Sequence, residues 1–134
     1  MIAITDADYL ARIRDTAELA QSSKGPDSLV DRVCEHLTAL LDLRACRFEY
    51  GTLTGHPPRI QQDGTVLWGR RRWDVERLGL PKEEVELLAI SHGHFYGRFM
   101  LTPAPGSRPS LQARLVAVTL ADHVGSALDT AATD

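Results

Sequence analysis

The sequence predicts an α+β domain, in which an antiparallel sheet of about five or six strands is flanked by helices. Three observations carry this. Apolar residues recur at helical spacing near both ends of the chain. They alternate with period two through the middle. Gly, Pro and Asp-Gly punctuation separates the alternating runs. A length of 134 residues suits one domain, spanning 1–134. Apolar residues make up 43% and charged residues 25%, which excludes disordered, collagen-like and coiled-coil classes.

Thr5, with Asp8 three residues later, resembles a capping box and opens a helix over 6–21. Leu10, Ile13, Ala17 and Ala20 form its apolar seam, opposite Arg12, Asp15 and Glu18. So narrow a seam requires a neighbour. After the break at Gly25-Pro26, Asp27 is the expected N-cap of a second helix over 28–41. Its stripe of Leu29, Val30, Val33, Leu37, Leu40 and Leu41 is broad enough for the core.

From Arg44 the period becomes two, with Cys46, Phe48 and Tyr50 on one face of a strand. A turn-rich stretch follows over 51–58. The runs 59–62 and 65–68 read as a hairpin closed by Asp63-Gly64 in a type I′ turn, whose central residues both need positive φ. Residues 69–80 are ambiguous, and Arg70, Arg71, Arg72 and Trp73, then Asp74, Val75 and Glu76, leave room for a further short strand. The strands 83–90 and 94–102 form an antiparallel pair joined by Ser91-His92-Gly93. A Pro- and Gly-rich loop over 103–109 leads to a last helix over 110–127. That helix has a broad face from Ala113 to Leu128 and a smaller one of Leu111, Leu115 and Val118. The second face implies a second partner, either the first helix or another protomer.

Most chemistry is excluded. No G-x-S-x-G, G-x-x-x-x-G-K-[ST] or H-E-x-x-H string occurs, so no catalytic residue is assigned. Fifteen Lys and Arg against eighteen Asp and Glu give a formal charge of −3, which argues against general nucleic-acid affinity. No uncharged apolar run reaches the length of a membrane span, and no secretory signal is expected at the N-terminus. Cys34 and Cys46 are too few for a disulfide framework and read as buried thiols packed as small hydrophobes. His92 and His94 form an H-x-H pair, but zinc takes three or four ligands. They read as solvated turn histidines, and neither a metal nor a cofactor is expected. His36 and His123 read as polar-face helix residues. The string Trp68 to Trp73, W-G-R-R-R-W, is the most unusual in the chain. Arginines between aromatics suit an anion or a stacked ring, or else an edge strand whose charges discourage aggregation.

The order helix, helix, strands, helix resembles a GAF domain, the small-molecule sensor module of bacterial signalling proteins and phosphodiesterases. The local carriers are Val85-Glu86-Leu87-Leu88-Ala89 and Tyr96-Gly97-Arg98-Phe99-Met100-Leu101, followed by an Ala- and Leu-rich helix. The resemblance covers 27–128. It is similar too to the cytoplasmic GAF-like part that follows a membrane domain in some bacterial sensors. Segment 1–24 would then be a connector and dimerisation helix, and the chain cytoplasmic. The resemblance implies a non-catalytic regulatory domain that binds a small molecule or a signalling partner and forms a homodimer. Phe48, Tyr50, Trp68, Arg70, Arg72, Trp73 and Tyr96 are the candidate ligand residues. Leu10, Ile13, Ala17, Leu111, Leu115 and Val118 are the candidate dimer contacts. GAF domains carry a long excursion that roofs the pocket, and here only about thirty residues separate Gly51 from Glu83. The short roof keeps open a ligand-free dimerisation or interaction module, and a small enzyme using Cys46 or a histidine is the remaining alternative.

Overall fold

The structure is a computed structural model and describes residues 5–51 and 53–133. The expected domain also takes in residues 1–4, 52 and 134, which lie outside the described residues. Ten elements follow one another: α1 (Asp6–Ala20), α2 (Pro26–Leu41), β1 (Leu43–Tyr50), β2 (Arg59–Ile60), β3 (Val66–Trp68), β4 (Arg71–Trp73), α3 (Val75–Leu78), β5 (Val85–Ser91), β6 (His94–Pro103) and α4 (Leu111–Thr133). The α+β class is as expected. The six strands run in the order β1-β6-β5-β2-β3-β4. The sheet is mixed rather than wholly antiparallel, because β2 pairs with β5 in parallel, Arg59 opposite Glu86.

One face of the sheet meets the helices. Val85, Leu87 and Ala89 of β5 and Phe99 and Leu101 of β6 point there, onto Leu29, Val33, Leu37 and Leu41 of α2 and Ala117, Leu120, Ala121 and Val124 of α4. Each large side chain so buried contributes about 1.5–3 kcal/mol. At Gly125 the last helix lies almost on the backbone of β5. A Cβ there would stand 2.6 Å from the Ile90 carbonyl oxygen.

The helix ends differ in detail from expectation. Thr5 caps α1 through its side chain, accepting from the Asp8 N–H at 3.2 Å. The buried line of α1 is Tyr9 and Thr16, with Ile13 partly buried, while Leu10 is turned to solvent at 53% exposure. Two polar contacts made this choice: Tyr9 Oη meets Ser110 Oγ and Thr16 Oγ1 meets His123 Nδ1 at 2.7 Å. They also show that α1 pairs with α4 inside one chain. The N-cap of α2 is Gly25, not Asp27, because Pro26 takes the first helical position, where its missing N–H is harmless.

The turns also rearrange. At 61–64 the Gly64 N–H donates to the Gln61 carbonyl, and the Asp63 carboxylate accepts from the N–H and hydroxyl of Thr65. Gly64 has φ +83° but Asp63 does not share its sign, so this is not a type I′ turn. The three-residue connection places glycine alone in the left-handed region. The pair with both φ positive is His92-Gly93, at +50° and +77°, which closes the β5–β6 hairpin between Ser91 and His94. Arg70 lies in the β3–β4 turn rather than on a strand, and the ambiguous stretch holds β4 and then a helical turn. The Asp74 carboxylate accepts from the Arg77 N–H and stops the strand before Val75.

The second face of α4 has a partner within the chain. Leu111 and Leu115 cover the 61–64 turn, where a Cβ on Gly64 would meet Leu111 Cδ1 at 2.8 Å. Arg114, 3% exposed, ties the same region together. Its guanidinium donates to the carbonyls of Gly64 and Pro109 and to Glu76 Oε1 at 2.8 Å.

Candidate functional site: a charged sheet face and an aromatic cleft

The sheet face away from the helices is lined with ions. Period two puts Glu86 of β5 and Arg98 of β6 on this side, while their neighbours Leu87 and Phe99 enter the core. Arg98 is 4% exposed and Glu86 is 2% exposed. Arg98 donates to Glu86 Oε1 at 2.8 Å, to Glu49 Oε1 at 2.9 Å and to the Thr54 carbonyl at 2.9 Å. The second Glu86 oxygen accepts from Arg59 Nε at 2.6 Å. Arg47 continues the ladder to Glu49 and Glu84. Desolvation opposes the charge of Arg98, but the hydrogen bonds to Glu86 and Glu49 outweigh it and raise its pKa. Through Thr54 the ladder also reaches the segment that leads into β2. A shallow cleft of about 470 Å³ runs along this surface.

A larger cleft of about 820 Å³ adjoins it, sharing Trp68 and Glu83. Its walls are Trp68, Trp73, Leu78, Leu80 and the 103–107 loop, and Arg44 and Lys82 stand at it. The two indoles lie 5.3 Å apart at 57°. Trp73 is fixed by its N–H, which donates to the Gly79 carbonyl at 2.7 Å. Leu80 N–H in turn donates to the Ser107 carbonyl, and Ser107 Oγ donates to the Leu41 carbonyl at the end of α2. The cleft is therefore built from the β3–β4 hairpin, the α3 turn and the connector between β6 and α4. Its dimensions and apolar walls are those of a small-molecule site.

The expected ligand residues do not converge on one place. Trp68 and Trp73 share the large cleft. Phe48 and Tyr50 stand in a separate one of about 440 Å³, next to Cys34 and Cys46. There the Tyr50 hydroxyl donates to Asp27 Oδ1 at 2.6 Å, and burial together with that carboxylate pushes its pKa up to about 12. Tyr96 is elsewhere again, donating its hydroxyl to Asp129 near the end of α4. Arg70 and Arg72 are exposed and line neither Trp-bearing cleft. Of the dimer candidates, Leu10, Leu111 and Leu115 are exposed, Ile13 and Ala17 are partly buried, and Val118 is buried in its own chain.

His92 is exposed in its turn, with Nδ1 3.2 Å from Asp129 Oδ2. Among the described residues no three His, Cys, Asp or Glu side chains converge as a metal site would require. No helix among them is long and apolar enough to cross a membrane.

Glu86, Arg98 and Arg114 were not among the candidate site residues expected from the sequence. The signal for the first two was present. Each is a single charge inside an otherwise apolar strand, and their signs are opposite. Comparison of the chain with protein-family models, curated proteins and solved structures finds no match.

Proposed function

We propose that this chain is a GAF-like, non-catalytic regulatory module that takes up a small molecule in the Trp68–Trp73 cleft. The observation that carries the reading is the cleft itself, about 820 Å³ with two indoles and aliphatic walls. Its location supplies a mechanism. One wall, 103–107, is the connector into α4, and it is hydrogen-bonded both to Leu80 and to the end of α2. A ligand that favours one position of that connector shifts the packing of α4 on α1, provided its affinity differs between the two arrangements. The outer sheet face is a poorer receptor for an apolar ligand, because the Glu49–Arg98–Glu86–Arg59 ladder occupies it.

The resemblance carries a homodimer with this reading, formed through the α1–α4 end of the molecule. Leu10, exposed on α1, supports it. Native mass spectrometry of the wild type and of Leu10→Glu tests that part, and a wild-type monomer refutes it.

Both tryptophans of the chain line this cleft, and Trp73 lines it without touching the adjoining one, so their fluorescence reports on it. Anilinonaphthalene sulfonate, an aromatic anion, serves as the probe. Energy transfer from tryptophan to the dye is expected, with affinity falling about tenfold or more in Trp68→Ala, a change of about 1.4 kcal/mol. Equal binding to both proteins, or none to the wild type, refutes the ligand reading. The ligand-free interaction module then takes its place.

A further inference from the structure

Cys34 and Cys46 are twelve residues apart in the chain but line the same cleft. Cys34 lies in the buried-facing half of α2, and Cys46 lies on β1, the edge strand that α2 covers. The helix packs on that strand, and the two thiols face the same cleft between them. Both line the cleft of about 440 Å³ beneath Tyr50, and both are half-buried, so neither is sealed from small solutes.

The two sulfurs are not equivalent. The hydrogen bond from Cys46 lowers the pKa of Cys34 against desolvation and the charges of Asp31 and Glu35. The same contact, with burial, raises that of Cys46. Cys34 is thus the thiol that ionises more readily, with Cys46 protonated beside it. A nucleophilic thiolate with a second thiol in reach is the arrangement that peroxide-sensing cysteines require.

We propose that Cys34 and Cys46 form a reversible disulfide within one chain on exposure to a peroxide, which makes the α2–β1 contact a redox modification site. The Cys34 thiolate attacks one peroxide oxygen and the O–O bond breaks. Cys34 becomes a sulfenic acid, and the other oxygen leaves as water or an alcohol after taking up a proton. Cys46 sulfur then attacks the Cys34 sulfur, the S–O bond breaks, and a second water departs with the Cys46 proton. Both electrons lost by the two thiols end on the peroxide oxygens. The disulfide needs the sulfurs to close to about 2.05 Å, which links α2 to the edge strand across a short loop. A dithiol reverses it by exchange.

The test treats the full chain with a small molar excess of hydrogen peroxide and follows intact mass and free thiols. The wild type is expected to lose two hydrogens and both thiols per chain, with no covalent link between chains. A non-reducing digest should contain a peptide joining Cys34 to Cys46, and dithiothreitol should restore both thiols. In Cys46→Ser the sulfenic acid on Cys34 should persist and be captured by dimedone. In Cys34→Ser peroxide consumption should slow about tenfold or more, because the remaining thiol is mostly protonated. Two free thiols after treatment of the wild type would overturn the proposal. So would bridges between chains only, or equal rates in Cys34→Ser and the wild type. The wild-type digest decides the matter even where a serine variant folds poorly.

Discussion

Replacing Glu86 by Gln should be among the most damaging single changes on the outer sheet face. One Glu86 oxygen is 2.6 Å from Arg59 Nε and the other is 2.8 Å from an Arg98 terminal nitrogen. At an effective dielectric of about 20, opposite unit charges 2.8 Å apart attract by about 6 kcal/mol. Withdrawing each ion from water costs several kcal/mol, so the intact pair adds little net stability. Removing one partner leaves the other's desolvation uncompensated. Arg98 keeps Glu49 and Thr54, and Glu86 keeps Arg59, so Glu86→Gln and Arg98→Met should each lose about 3 kcal/mol, the low end for a broken buried pair. The double variant Glu86→Gln with Arg98→Met removes both buried charges and leaves Glu49 and Arg59, which reach solvent. Its loss should also be about 3 kcal/mol, which makes the coupling between the sites about 3 kcal/mol. Urea unfolding gives all three values if the m-value is unchanged. A double variant that loses about 6 kcal/mol, the sum of the singles, would show that the two residues act independently and refute the reasoning.

Gly125→Ala should destabilise the fold despite a helix propensity gain of about 1 kcal/mol, because the added methyl meets the Ile90 backbone at 2.6 Å, and a raised melting temperature would contradict this. Arg114→Leu should lose about 2 kcal/mol or more, since the Gly64 and Pro109 carbonyls lose their donor, and a loss under half of that in urea unfolding would count against the contact. Burial holds the pKa of His123 below its ordinary value of 6.5, so the folded chain binds this proton less readily than the unfolded one. Its contribution is full above pH 6.5 and is lost as the pH falls through the folded pKa, and the difference in melting temperature between wild type and His123→Gln should change with pH across that window.

What could be read from the chain was local and periodic. The apolar stripe of α2, the alternation of Val85, Leu87 and Ala89, and the pairing of the last two strands all followed from spacing alone. What failed depended on partners far away in sequence. Leu10 is more apolar than Tyr9 or Thr16, yet Ser110 and His123 offer hydrogen bonds that turn α1 the other way. Asp63-Gly64 has the stronger type I′ signature, but the Thr65 N–H and hydroxyl capture the Asp63 carboxylate, and His92-Gly93 takes that geometry instead. The parallel pairing of β2 with β5 joins residues 27 apart, and nothing local in Arg59 announces it. Period two correctly turned Glu86 and Arg98 away from the core. It could not say that the face they turned to would itself be covered, by the loop through Thr54 and by one another.

That cover determines where recognition can occur. A sheet face paved with Glu49, Arg98, Glu86 and Arg59 gives an apolar ligand no contact it does not first have to break, and each broken pair leaves a buried charge. A polar ligand there would compete with hydrogen bonds already made. The corner held by Trp68 and Trp73 carries no such cost. Its aromatic faces have their edges fixed by the Trp73–Gly79 bond and their outer surfaces exposed to the cleft. The same corner contains the connector that starts α4, and α4 touches α1, α2, β5 and the β2–β3 turn. Under the proposed function, a shift of the connector would pass directly into α4, with no relay through the charged sheet. The rigidity of the ladder then serves the opposite purpose. Under the proposed function it would hold β5 and β6 as the floor against which α4 shifts, and Gly125, close against Ile90, is where an added side chain would push that floor and the helix apart.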